Sequence, residues 1–156
     1  MSLRTVFLDA GGVLLYPNWV RVSEALAAQG VIASPSTLAK AEPLAKKQID
    51  EGGTIAATDD ARRGWLYFNL VLTMAGVELS DATDAALTEL HEYHRTRNLW
   101  EHVPEHVIPA LEALDRLGLR MTVVSNANGT LCTHMERLGL ARYVHCVLDS
   151  CDLGVE

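Results

Sequence analysis

Positive charge is scarce in this chain. Thirteen Lys and Arg stand against twenty Asp and Glu, a formal net charge of −7 over 156 residues. A nucleic-acid backbone or an anionic membrane selects clustered basic side chains, so neither is expected as a partner. Long apolar runs are missing as well, since none approaches the ~18–20 residues needed to cross a bilayer. Asp9 and Gly11-Gly12 cut the first apolar run before a secretory h-region could form, and no small-residue cleavage site follows. Cysteine is limited to Cys132, Cys146 and Cys151, an odd number without metal-type spacing. Buried or free thiols in a reducing cytoplasm are the expected state. These absences point to a cytoplasmic protein, and they leave oligomeric state open.

What is present suits a globular chain. Hydrophobic residues make up 49% and charged residues 21%, enough to bury a core in one domain or in a core with a small insertion. Arg4-Thr5-Val6-Phe7-Leu8 is a β-favouring run without polar alternation, which predicts a parallel strand buried on both faces. Asp9-Ala10-Gly11-Gly12 then turns the chain. From about residue 18 to 98 the pattern becomes helical. Val20, Val22, Ala25, Leu26 and Ala28 sit near helical spacing with Gly30 as the stop, and Ser34-Pro35 reads as an N-cap before a first-turn proline. Pro43 is expected to kink or split the second helix. Thr58, Asp59 and Asp60 open a third, carrying Trp65 to Met74 and ending near Gly76. Ser80 and Asp81 open a fourth, through Leu87, Leu90, His91 and His94. Four helices on short polar turns read as an antiparallel bundle.

The periodicity then alternates. Leu111, Leu114 and Leu117 share a helical face ended by Gly118, and Arg120 to Val124 is a second apolar strand landing on Ser125-Asn126. Leu131, Met135 and Leu138 mark another helix, and Val144 to Leu148 a third strand followed by Asp149-Ser150. The expected fold class is α/β. Segments 1–16 and 99–156 would form a Rossmann-like parallel sheet of three strands, and 17–98 an inserted helical bundle. Right-handed crossovers bring the carboxyl ends of the strands to one edge, where sites in such sheets gather. Asp9, Ser125 and Ser150 fall at that edge.

Phe7-Leu8-Asp9-Ala10-Gly11-Gly12-Val13-Leu14, Val123-Val124-Ser125-Asn126 and Leu148-Asp149-Ser150-Cys151-Asp152-Leu153-Gly154-Val155-Glu156 resemble, in order and spacing, the first, second and approach to the third motif of the haloacid dehalogenase-like (HAD) hydrolases. The helical insertion resembles that family's C1-type cap. The resemblance implies Asp9 as nucleophile and Ser125 as binder of phosphate or oxyanion oxygens. It also implies that Asn126 helps hold them, or orients the nucleophile or the flap. Gly12, Tyr16, Trp19 and Ala127 would line the substrate pocket, with packing between cap and core as the alternative for Tyr16 and Trp19. Asp9 and the Gly11 backbone carbonyl would bind Mg²⁺ in a phosphatase, and no cofactor is implied for a dehalogenase.

The chemistry is consistent with these roles. A carboxylate at a strand tip divides one displacement into two easier steps, and Mg²⁺ offsets repulsion between carboxylate and phosphate. Taken singly, Asp9 could instead cap a turn and Ser125 a helix. Two departures bear on function. Gly11 stands where phosphatases of the family carry a second aspartate, the acid that protonates the leaving alkoxide. Dehalogenases need no such proton, yet they carry a bulky aromatic residue at this position. The chain also ends at Glu156, where the family's lysine and a later acidic pair would follow. It is therefore expected to be a truncated core, nearly inactive, with its first strand at a sheet edge.

The leading expectation is a Mg²⁺-dependent phosphatase acting on a small phosphorylated metabolite. A 2-haloacid dehalogenase and a degenerate non-catalytic family member are the alternatives. His91 and His94 read as a solvated helix face rather than metal ligands. Lys46-Lys47 and Arg62-Arg63 read as solvated charge, and the Trp65 to Met74 stripe as bundle core.

Overall fold

The computed structural model describes residues 3–51 and 60–154. Its elements run β1 (Thr5–Leu8), α1 (Trp19–Ala28), α2 (Pro35–Glu51), α3 (Asp60–Met74), α4 (Asp81–Arg97), α5 (Val107–Arg116), β2 (Arg120–Ser125), α6 (Leu131–Arg137), β3 (Cys146–Asp149) and α7 (Ser150–Leu153). The chain divides into two compact units. One holds the sequence up to Asn18 and from His94 onward, and the other is Trp19–Tyr93. The last turn of α4 thus lies in the sheet unit, where His94 Nδ1 accepts the Leu99 N–H at 3.1 Å.

The fold of the sheet unit is α/β, a Rossmann-like parallel sheet in the order β1-β2-β3. Leu8 pairs with Val123, and Ser125 with Asp149. One face carries the core. Met121 and Val123 pack there with Leu111 of α5, Leu131 and Met135 of α6, and the turn residues Ala10, Leu14 and Leu15. Phe7 and Val124 lie on the opposite face, 69% and 45% exposed. The expected burial of the first strand on both faces is therefore not found, because the core covers one side of the sheet. Leu117 likewise leaves the helical face predicted for it and is exposed. The third strand begins at Cys146 rather than Val144, since Ala141–Tyr143 is a 3₁₀ turn that holds the Val144 N–H on the Ala141 carbonyl.

In the helical unit, α2 packs against α1 and α3 around Val22, Leu26, Leu38, Ala45, Val71 and Leu72. Ser34 Oγ accepts the Thr37 N–H at 3.1 Å, the expected cap of α2. Pro43 does not split α2. It lies on the exposed side with Ala39 one turn back, so the carbonyl deprived of its N–H partner meets water instead. Glu42, one residue away, is buried and holds three donors: Trp19 Nε1 at 3.2 Å, Tyr67 OH at 3.0 Å and Lys46 Nζ at 2.7 Å. Lys46 thus forms an ion pair while its side chain stays 39% exposed. Burial and the adjacent Glu42 carboxylate push the Tyr67 phenol strongly upward, so it stays protonated as a donor. Val71 and Leu72 place the end of the α3 stripe in the core. Thr58, Asp59 and the side chains of Arg62, Arg63 and Trp65 lie outside the described residues. Among the described residues, no helix is long and apolar enough to cross a membrane.

Candidate active site at the carboxyl edge of the sheet

Asp9 follows the last residue of β1 directly, and the tight turn after it is held by one carbonyl. Ala10 O accepts the N–H groups of Leu14 at 3.0 Å and Leu15 at 2.9 Å. Gly12, at φ 79°, donates its N–H to Leu15 O at 2.7 Å. That left-handed conformation strains any residue with a Cβ, which is why a glycine suits the position. Ala10, Leu14 and Leu15 anchor the turn in the core, and Asp9 is left exposed at its mouth.

The strand register brings Ser125 beside it. Ser125 Oγ donates to Asp9 Oδ1 at 2.8 Å, and the Ala10 N–H donates to the same oxygen at 2.7 Å. Oδ2 of Asp9 accepts no hydrogen bond among the described residues. The turn-capping alternative for Asp9 describes only the Ala10 contact. The helix-capping alternative for Ser125 does not hold, since α6 begins six residues later, at Leu131. Capping there is the work of Asp149, which the motif reading did not single out. Asp149 is 2% exposed. Its Oδ2 accepts Gly129 N–H at 3.0 Å and Leu131 N–H at 3.3 Å, and its Oδ1 accepts Cys151 N–H at 3.0 Å. One carboxylate thus ties the loop after Ser125 to the ends of both β2 and β3.

The remaining predicted residues are dispersed. Asn126 is exposed beside Ser125, and Ala127 packs against the sheet core. Tyr16 donates its hydroxyl to Gly12 O at 2.7 Å and exchanges both backbone hydrogen bonds with His102. Trp19 is the first residue of the helical unit, where it is buried with its N–H on Glu42.

Trp100 was not anticipated. A Cβ placed on Gly11 would lie 3.9 Å from both Cδ1 and Nε1 of its indole, so the ring stands beside the empty side-chain position next to Asp9. Three contacts hold it there. Its N–H donates to Asn98 Oδ1 at 3.1 Å, with Asn98 itself at φ 65°. Its ring meets His94 edge-on at 5.2 Å between centroids. Its carbonyl lies 2.8 Å from His134 Nε2. His94 is therefore part of this support, not the solvated helix face expected for it. The only hint in the sequence was an aromatic residue just past the helical insertion.

His134 is buried on α6. Arg137 Nη2, 2.9 Å from its Nδ1, can only donate, so Nδ1 accepts and the Nε2–H donates to Trp100 O. Burial first, and the Arg137 charge as well, hold the imidazole below its usual pKa, against the opposing Trp100 carbonyl.

Among the described residues no three His, Cys, Asp or Glu side chains converge on a metal position. The Asp9 carboxylate and the Gly11 carbonyl are two oxygen donors on one turn, and the latter accepts no hydrogen bond among the described residues. A pair of this kind fits Mg²⁺, which keeps several waters and substrate oxygens as its other ligands. A separate cavity of about 360 Å³ lies in the helical unit, lined by Val31, Ser34, Thr37, Val77 and Glu78. It holds none of the residues at the carboxyl edge of the sheet.

No family model matches the chain. It is 28% identical over 163 residues to haloacid dehalogenase-like hydrolase domain-containing protein 3 of Xenopus laevis, a similarity covering 99% of this chain and 66% of that protein. The chain therefore spans just under two thirds of that relative's length. A hydrolase from Streptococcus pneumoniae TIGR4 superposes with a TM-score of 0.60 at 18% identity, over 100% of this chain and 71% of that one. The HAD hydrolase YfnB from Bacillus subtilis, solved bound to magnesium, gives 0.58 at 13% identity, over 100% of this chain and 67% of that one.

Proposed function

We propose that this chain is a haloacid dehalogenase-like hydrolase, as its likeness to the Xenopus laevis protein and its fold support, and that it transfers the phosphoryl group of a small phosphorylated metabolite to Asp9 and then to water. The observation that carries the proposal is the 2.8 Å hydrogen bond between Ser125 Oγ and Asp9 Oδ1 at the carboxyl edge of the sheet. It holds Oδ1 and leaves Oδ2, which accepts no hydrogen bond among the described residues, to act as the attacking atom. Oδ2 forms a bond to phosphorus, the ester oxygen leaves, and water then attacks the aspartyl phosphate and returns the carboxylate. The Ser125 hydroxyl, and backbone N–H groups around Asn126, hold the non-bridging oxygens as charge builds on them. The Asp9 carboxylate and Gly11 carbonyl would hold Mg²⁺, which when bound neutralises the repulsion between carboxylate and phosphate. The partner is thus a small molecule.

One observation favours a second reading. Gly11 offers no side chain to protonate a leaving group, and a halide needs none. The same Asp9 attack on the carbon of a 2-haloacid, without a metal, would release halide. The deciding experiment measures phosphate and halide release across a substrate panel, with and without Mg²⁺, for the full-length protein and its Asp9→Asn variant. Phosphate release that needs both Asp9 and Mg²⁺ is expected. Halide release alone would install the second reading, and a variant that retains every measurable function would overturn both in favour of a non-catalytic binding role.

A further inference from the structure

Resting on the Asp9 reading above, we propose that this site is selective for phosphates whose leaving group departs without a proton, aryl and acyl phosphates foremost, and that Trp100 is the residue selecting them. Two independent sets of contacts lead there.

The first concerns proton donors. The turn after Asp9 carries only Ala10, Gly11 and Gly12. Among the described residues of the sheet unit, four groups that could carry a proton hold other partners. Tyr16 donates its hydroxyl to Gly12 O, and Ser125 donates its own to Asp9. The Asp149 carboxylate accepts three backbone N–H groups. His134 is held neutral, with its N–H on Trp100 O and its other nitrogen on Arg137. An absent general acid costs about 10²–10⁴ in rate when the leaving group is an alkoxide. A phenolate or carboxylate leaves as a stable anion and escapes that cost.

The second concerns what stands at the vacant position. The Cδ1–Nε1 edge of Trp100 lies 3.9 Å from where a Gly11 Cβ would be. His94 meets the ring edge-on, and Asn98 and His134 hold the Trp100 backbone N–H and carbonyl, so an aromatic or planar acyl group can pack on a ring whose residue is already anchored. The chemical step balances. Asp9 Oδ2 forms a bond to phosphorus while the bond from phosphorus to the aryl or acyl oxygen breaks, and the electron pair leaves on that oxygen. Water then forms its bond to phosphorus, the bond to Asp9 breaks, and the water proton passes to the released phosphate or to solvent.

The test uses the full-length protein with Mg²⁺. Substrates are 4-nitrophenyl phosphate, phenyl phosphate, acetyl phosphate and glycerol phosphate, each also offered to Asp9→Asn, Trp100→Ala and Trp100→Phe. Binding of fluoroberyllate, read by tryptophan fluorescence, is followed independently of turnover. The expected result is a rate that rises steeply as the leaving group becomes less basic, with glycerol phosphate at least about 100-fold behind 4-nitrophenyl phosphate. Trp100→Ala should raise KM for the phenyl phosphates by up to about 10-fold, more than for acetyl phosphate, and Trp100→Phe should restore most of it. Equal rates across the series with an inactive Asp9→Asn would overturn the selectivity and leave the Asp9 reading standing. So would fluoroberyllate binding without turnover of acetyl phosphate. Turnover that survives Asp9→Asn, or neither binding nor turnover, would overturn both.

Discussion

Ser125→Ala tests the site at the cost of a single oxygen atom. In the resting protein the Ser125 hydroxyl donates to an aspartate that is itself exposed. Water can replace such a bond, so its contribution to folding is at most about 1 kcal/mol. For a chain of this size that is a change in Tm of about 2–4 °C or less. During phosphoryl transfer the same hydroxyl faces growing charge on a non-bridging oxygen, where removing one such donor costs about 2.7–4 kcal/mol, or about 10²–10³ in kcat. The two figures differ enough to separate a catalytic from a structural role. The assay is steady-state phosphate release beside a thermal melt, for wild type, Ser125→Ala and Ser125→Thr in the full-length protein. Ser125→Ala should lose at least about 100-fold in kcat with a nearly unchanged Tm, and Ser125→Thr, which keeps a hydroxyl, should recover most of it. If Ser125→Ala kept kcat within about 3-fold of wild type while Asp9→Asn was inactive, stabilisation by Ser125 would be refuted.

Three further outcomes follow from the packing. Asp149→Ala strips the acceptor from three backbone N–H groups, and urea unfolding should show a loss of at least about 3 kcal/mol; a loss under about 1 kcal/mol would mean that water satisfies those donors. Glu42→Ala leaves Trp19 and Tyr67 without their buried acceptor, with an expected cost of about 3 kcal/mol in the same assay. Glu42→Gln, which keeps an acceptor oxygen, should cost less, and an equal cost would show that charge rather than hydrogen bonding holds the cluster. His134 is held below its usual pKa of 6.5, so the unfolded chain takes up its proton first as the solution is acidified. Its contribution to stability is complete above that value and is lost as pH falls through the lower folded pKa. Comparing unfolding free energies of wild type and His134→Gln across that window should show a steeper acid loss in wild type, and parallel curves would contradict the assignment.

Much of the architecture was legible because local patterns carried it. Glycines at 11 and 12 after an apolar run announced a strand and a tight turn, and Ser34-Pro35 announced the start of α2 with its cap. The boundary of the inserted segment was less legible. α4 runs to Arg97 without a break in period, and only the contacts of His94 with Leu99 and Trp100 assign its last turn to the sheet unit. Pro43 left a kink and a split both open in the sequence, and α2 is not split; which follows depends on whether the orphaned carbonyl reaches water, and exposure is not a local property.

By itself the sequence determined that an aspartate and a serine would each stand at the end of a parallel strand with helices between them, because hydrophobic period and turn chemistry are written in neighbouring residues. Only the tertiary structure decided that their oxygens lie 2.8 Å apart, that Asp149 spends its carboxylate on three N–H groups, and that Trp100 fills the space beside Gly11. Apart from the bond between Asp149 and Cys151, each of those contacts joins residues well separated along the chain. Their distance is set by strand register and by the core beneath the sheet, which no short stretch of sequence contains.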